Sequence, residues 1–178
     1  MKIINFELLN EDQIKQAAFI LTESLPIGWP TFNDAMDEIK ERLIPENILF
    51  AAVEYDIVIG WGGILPHYNG NVYELHPLAV RKDKRNIHVG SVIVKALEDA
   101  ARLKGGLTMY LGADDERGDG ETSFANVDLF NDLPKRIQGF QAGIHQTGFY
   151  LKLGYKIIGV IPDANGRGKP DIYIGKRL

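Results

Sequence analysis

The chain has 178 residues, enough for one well-cored domain and too few for two. Its net charge of −4 disfavours nucleic acid as a partner and mildly favours a cation. There is no cysteine, which excludes disulfides, thiolate metal sites and a cysteine-borne acyl-enzyme, and which suits a reducing compartment.

The composition, 45% hydrophobic and 25% charged, is that of a soluble globular protein, and the apolar runs are far too short to span a bilayer. The first residues, Met1 to Glu7, hold no apolar h-region and turn acidic early, so a cytoplasmic protein is expected. Lys2 to Leu9 reads as an opening strand. Asn10-Glu-Asp12 supplies N-cap chemistry for a helix with Ile14, Ala17, Ala18 and Leu21 at helical spacing. Pro26 to Pro30 breaks it into a loop that carries an exposed-looking Trp29. Asn33 or Asp34 can cap a second helix, ended by Pro45.

From Ile48 the pattern becomes β-rich. Ile48 to Glu54 and Ile57 to Leu65 form a hairpin about Tyr55-Asp56, Asn69-Gly70 marks a turn, and Val72 to Val80 is a further strand. A helix runs from His88 or Val89 to Leu103 and is stopped by Gly105-Gly106. Leu107 to Gly112 is a strand, and the polar stretch from Ala113 to Asn126 is long for a bare connection. His145 to Leu153 is a short helix; Tyr155 to Ile161 and Asp171 to Lys176 are strands. With no repeat or linker, residues 1–178 are expected to form a single domain.

Three features carry chemistry. The first is a basic turn feeding a helix, Arg81-Lys-Asp-Lys-Arg-Asn-Ile-His-Val-Gly-Ser91. Unpaired N–H groups and the positive end of the helix dipole suit a pyrophosphate there, although a solvated basic loop has the same composition. The second is the preceding strand, where Glu74 and His76 share a face. Pro77 cannot donate to a ladder, so pairing must be interrupted beside them. Each of the two also admits a plain reading, Glu74 as a surface carboxylate and His76 as a structural histidine. The third is the run Asp114, Asp115, Glu116, Asp119 and Glu121 against a single Arg117. It is a solvated loop or a wall for ammonium groups; it lacks the spacing of a calcium loop. The four histidines make no metal-ligand pair at helical spacing, so no metal is expected.

Arg85-x-x-x-x-Gly90 resembles the acyl-CoA pyrophosphate loop of the GNAT superfamily of N-acetyltransferases, with His88 where the first glycine of that motif is expected. Phe149-Tyr-Leu-Lys-Leu-Gly-Tyr155 resembles the superfamily's later helix-to-strand motif. Glu74-Leu-His-Pro-Leu78, Tyr110-Leu-Gly112, Asp114-Asp115, Pro162 to Gly166 and Lys169 to Ile172 are similar to aminoglycoside 6′-N-acetyltransferases of the enterococcal chromosomal type.

That resemblance implies an α/β (α+β) acyltransferase fold, a mixed and mostly antiparallel twisted sheet with helices on both faces. It implies acetyl-CoA as cosubstrate and a polycationic small-molecule amine as acceptor, joined by direct attack in a ternary complex. Leu78, Ala79, Val80, Arg85, Asn86, Ile87, His88, Val89, Gly90 and Ser91 would hold CoA. Glu74 and His76 would serve catalysis, Leu78 would polarise the thioester through its N–H, and Tyr150 would protonate the departing thiolate. Trp29, Tyr68, Glu74, Asp114 and Asp119 form the expected substrate set. A homodimer is implied by the family; membrane and nucleic-acid partners are not expected.

Overall fold

The computed structural model describes residues 1–116 and 121–178. The chain divides into two compact units, Met1–Met109 with Leu178, and Tyr110–Arg177.

The first unit opens with strand β1 (Lys2–Asn5), shorter than its apolar pattern suggests because a 3-10 turn takes over at Phe6–Leu8. Helix α1 (Glu11–Ser24) begins at Asn10, whose side chain accepts from the N–H of Gln13 while Gln13 returns a bond to Asn10. Helix α2 (Phe32–Arg42) starts earlier than the sequence suggests. Its cap is Thr31, and Asp34 is the third residue of a reciprocal capping box with it. Strands β2 (Ile48–Glu54) and β3 (Ile57–His67) form the expected hairpin, with Tyr55 and Asp56 both at positive φ as a two-residue hairpin turn requires. β4 (Val72–Val80) completes the antiparallel order β1-β2-β3-β4. Helix α3 (Val89–Leu103) follows the basic turn.

Helices cover both faces of these strands. Trp61 points to one side, fully buried with Ala17, Leu21, Ile39 and Ala79, and its indole N–H donates to the Ala17 carbonyl at 2.9 Å. Truncating it to Ala would cost about 3–5 kcal/mol. Its neighbours Gly60 and Gly62 point the other way, toward α3. A Cβ at Gly60 would stand 3.2 Å from Ile93 Cδ1, and one at Gly62 would stand 3.4 Å from Ile93 Cγ2. Glycine therefore lets α3 lie close on β3.

The second unit carries β5 (Thr108–Asp114) from Tyr110 onward, two short helices, α4 (Leu133–Gln138) and α5 (Thr147–Lys152), and an antiparallel pair, β6 (Lys156–Ile161) and β7 (Asp171–Arg177). Its strand order is β5-β7-β6. β5 runs two residues further than its apolar pattern predicts, so Ala113 and Asp114 belong to the strand and not to the loop. Helix α4 was not expected; six residues with a proline in the first turn leave little periodicity to read.

Candidate active site

The strand expected to carry the chemistry is irregular where proline requires it. Gly62 pairs with Leu78 and Ile64 with Leu75, so Gly63 alone stands opposite His76 and Pro77. The His76–Pro77 peptide is cis. Two residues against one is a β-bulge, and it shifts the alternation of β4 by one. Tyr73, against Gly106 just past α3, lies on the α3 side, and beyond the bulge so do Leu78 and Val80, against Gly62 and Gly60. Glu74 and His76 point to the opposite side, where α2 lies.

Each of these two side chains has a definite partner. His67 Nε2 lies 3.0 Å from Glu74 Oε2. His76 Nε2 lies 3.2 Å from Glu38 Oε1 on α2, and the same oxygen accepts from Arg42 Nε at 2.6 Å. Burial raises the pKa of the Glu38 carboxyl, but the bonds and charges of His76 and Arg42 outweigh it and hold the group down at about 2. Trp29 packs on His76 with ring centroids 5.6 Å apart, so it is half-buried rather than exposed as its loop position suggests. Tyr68 is 77% exposed, in a 3-10 turn (Tyr68–Gly70) between β3 and β4.

The basic turn spends most of its charge internally. Arg81 forms a two-point bond to Asp83 at 2.6 and 2.8 Å, and Lys84 pairs with Glu54 at 2.5 Å. Arg85 donates to the Val80 carbonyl and to Ser24 Oγ, both at 3.0 Å. Lys82 is exposed. Asn86 and His88 both take the left-handed conformation, at φ of 62° and 69°. His88 is the N-cap of α3 and its side chain makes no cap bond, so among the described residues the first-turn N–H groups of Val89, Gly90 and Ser91 have no side-chain cap. The helix start thus offers backbone amides, while Arg81, Lys84 and Arg85 are engaged within the fold.

In the second unit, Asp114 ends β5, is exposed, and accepts from Asn165 Nδ2 at 2.6 Å. Asp171 sits beneath Gly112, its carboxyl pushed up by burial and by the charge of Asp114. The picture of one continuous acidic wall needs correction. Asp115 is 1% exposed, and its Oδ2 accepts from the N–H and the hydroxyl of Thr122, so it is bound within the fold instead of facing a ligand. Glu121 is buried too, which leaves Asp114 and Glu116 as the accessible carboxylates of that stretch among the described residues. Asp119 lies outside the described residues. His145 is structural: Nε2 donates to the Asp114 carbonyl at 3.0 Å. Tyr150, on α5, is buried against Tyr155 and Phe149 in edge-on contacts, and burial pushes its phenol well above the ordinary value. Among the described residues no group of three or more His, Cys, Asp or Glu could hold a metal ion.

Residues 14–124 match the acetyltransferase (GNAT) family model. An aminoglycoside 6′-N-acetyltransferase solved with coenzyme A is 36% identical with a TM-score of 0.91, covering 99% of this chain and 97% of that one. The aminoglycoside 6′-N-acetyltransferase from Enterococcus faecium gives the same four values. An aminoglycoside 6′-acetyltransferase type Ii is 33% identical with a TM-score of 0.77 over the same shares. The chain belongs to the GNAT family of acetyltransferases. No curated protein matches it in sequence.

His88 stands where the resemblance led to the expectation of a glycine, and it takes the left-handed conformation that glycine adopts freely. Histidine is one of the residues enriched in that region, so the turn does not require glycine here. His67 and Glu38 were not foreseen as partners of Glu74 and His76. The β3–β4 register could have suggested the first; nothing local in the sequence points to the second.

Proposed function

We propose that this GNAT protein transfers an acetyl group from acetyl-CoA to the 6′-amine of an aminoglycoside. The observation that carries the proposal is the chain-long likeness to aminoglycoside 6′-N-acetyltransferases. An acceptor of several positive charges suits the net charge of −4 and the exposed Asp114.

Acetyl-CoA supplies an activated thioester carbonyl. The first-turn amides of α3, from Val89 to Ser91, hold its pyrophosphate, with Arg85, Asn86, Ile87 and His88 shaping the loop and Leu78, Ala79 and Val80 lining the pantetheine. The N–H of Leu78 polarises the carbonyl. Glu74 binds the substrate ammonium and takes its proton, because an alkylamine with a pKa of about 10.4 attacks only when free. The amine nitrogen bonds to the carbonyl carbon, the carbon–sulfur bond breaks, and the sulfur leaves with a proton, giving an amide, the CoA thiol and one proton to solvent. His76, tied to Glu38, and the Trp29 ring beside it hold the acceptor side, with Tyr68 at its rim. Tyr150 donates toward the departing sulfur. Burial favours the neutral phenol, which is the form that can donate a hydrogen bond or a proton to the sulfur. Asp114 and Asp119 receive remote ammonium groups.

A homodimer, a cytoplasmic location and a role in antibiotic resistance complete the reading. They rest on the family likeness and the absence of cysteine. Among the described residues no helix is long and apolar enough to cross a membrane. The test is thiol release from acetyl-CoA across aminoglycosides and polyamines, with the acetylated position read by NMR. Release with polyamines and none with any aminoglycoside would overturn the proposed substrate.

A further inference from the structure

We infer that His67 is a positioning residue for acetyl transfer, holding one oxygen of the Glu74 carboxylate so that the other receives the substrate ammonium. The inference rests on the role proposed for Glu74 and extends it to a residue of the neighbouring strand.

The register of the hairpin places the pair. His67 stands opposite Val72 and Leu65 opposite Glu74, so His67 and Glu74 are diagonal neighbours on one face of β3 and β4. The separation of His67 Nε2 from Glu74 Oε2 is 3.0 Å. An ionised carboxylate only accepts, so Nε2 carries the hydrogen and donates. Oε1 makes no hydrogen bond among the described residues. The side chain of Glu74 is 31% exposed, and a glutamate so placed gains rotamer freedom when unheld. A charge-assisted bond to one oxygen removes that freedom and aims the free lone pairs of the other. The contrast with His76 is instructive. His76 is instead bonded to Glu38, whose carboxylate is shared with Arg42, and makes no hydrogen bond to Glu74 among the described residues. His67 is 40% exposed, so it can be replaced without opening the core.

The experiment compares His67→Ala, His67→Gln, Glu74→Gln and the double variant His67→Ala/Glu74→Gln by steady-state kinetics and thermal unfolding. His67→Ala is expected to lower kcat about tenfold, the scale of a lost bond to a charged group, with the KM for acetyl-CoA and the unfolding midpoint unchanged. His67→Gln keeps an N–H donor of similar reach and is expected to recover turnover to within about threefold of the parent. In the Glu74→Gln background, His67→Ala should add nothing, because the two residues act as one unit. Unchanged kcat in His67→Ala beside an impaired Glu74→Gln overturns the inference, as does full additivity in the double variant. A loss that Gln does not restore also overturns it, since the ring would then matter for packing. Full turnover in Glu74→Gln is a different result: it removes the role proposed for Glu74 itself.

Discussion

The guanidinium of Arg85 donates to the hydroxyl of Ser24 at 3.0 Å, joining the basic turn before α3 to the last residue of α1. The same side chain holds the Val80 carbonyl at the end of β4. Arg85 is thus a tie within the fold, and its neighbours Arg81 and Lys84 are likewise paired.

This division of labour sets the first prediction. Gly90 lies in the first turn of α3, where its amide would meet the pyrophosphate. Gly90→Asp should weaken CoA binding tenfold or more, by bulk and like charge (about 1.4 kcal/mol for each factor of ten). An acidic residue there complements the helix dipole, so the variant is expected to fold. Arg85→Ala should weaken binding less and lower the unfolding midpoint, since it breaks two bonds of the scaffold. Calorimetric titration with CoA checks both, and unchanged affinity in folded Gly90→Asp would remove the loop from the pyrophosphate.

The second prediction concerns Tyr150. Its burial among aromatic rings makes Tyr150→Phe a nearly isosteric change, so stability should hold. A phenol that only hydrogen-bonds the leaving sulfur predicts a fall in kcat of about 10- to 100-fold, against about 10²–10⁴ for a positioned general acid. Single-turnover kinetics of the variant separate the two, and full activity would show that another group serves the thiolate.

A third prediction follows from Glu38. Its pKa is lowered to about 2, against burial, by His76 and Arg42. A group whose folded pKa is depressed contributes stability above its unfolded value, near 4.5, and loses it as pH falls toward 2. The contribution is at most about 3 kcal/mol, and less once residual solvent screening of the carboxyl is counted. Urea unfolding between pH 6 and pH 2 should show the parent losing stability faster than Glu38→Gln, with the two curves converging at the acid end. Parallel curves would mean that Glu38 is not held in this way.

How much of this the sequence disclosed depends on the range of the interaction. The bounds of β4 and α3, the cap at Asn10 and the turn at Tyr55-Asp56 were legible because alternation, helical spacing and cap chemistry are local. The cap of α2 was misplaced by two residues or more, because Thr31 and Asp34 satisfy each other and leave Asn33 outside the box. The interruption at Pro77 was legible from a missing N–H, but the change of face beyond it was not, since that depends on Gly63 opposing two residues. Glu38 and His76 are 38 positions apart and meet only through packing of α2 on the strands. Asp115 looked like its acidic neighbours because charge pattern does not tell a solvated carboxylate from one closed by Thr122.

The last prediction bears on the substrate. Glu74 is proposed to deprotonate the reacting amine, and Asp114 to hold a distant ammonium; these roles leave different kinetic traces. A remote carboxylate binds ground and transition states alike, so Asp114→Asn should raise KM for a multiply charged aminoglycoside with kcat nearly unchanged. Asp114 is exposed, so the effect should fade at high salt, where the screening length falls from about 8 Å at physiological ionic strength to about 3 Å at 1 M. It should also shrink for a monoamine, which has no second charge to place. Its bond from Asn165 survives as amide to amide in the variant, which limits structural loss. Glu74→Gln should instead lower kcat at neutral pH and recover in part at high pH, where more of the amine is free. If Asp114→Asn leaves every aminoglycoside KM untouched while Glu74→Gln still impairs turnover, Asp114 makes no contact with the acceptor. Acetyl transfer through Glu74 would stand, and the electrostatic argument for a polycation would not.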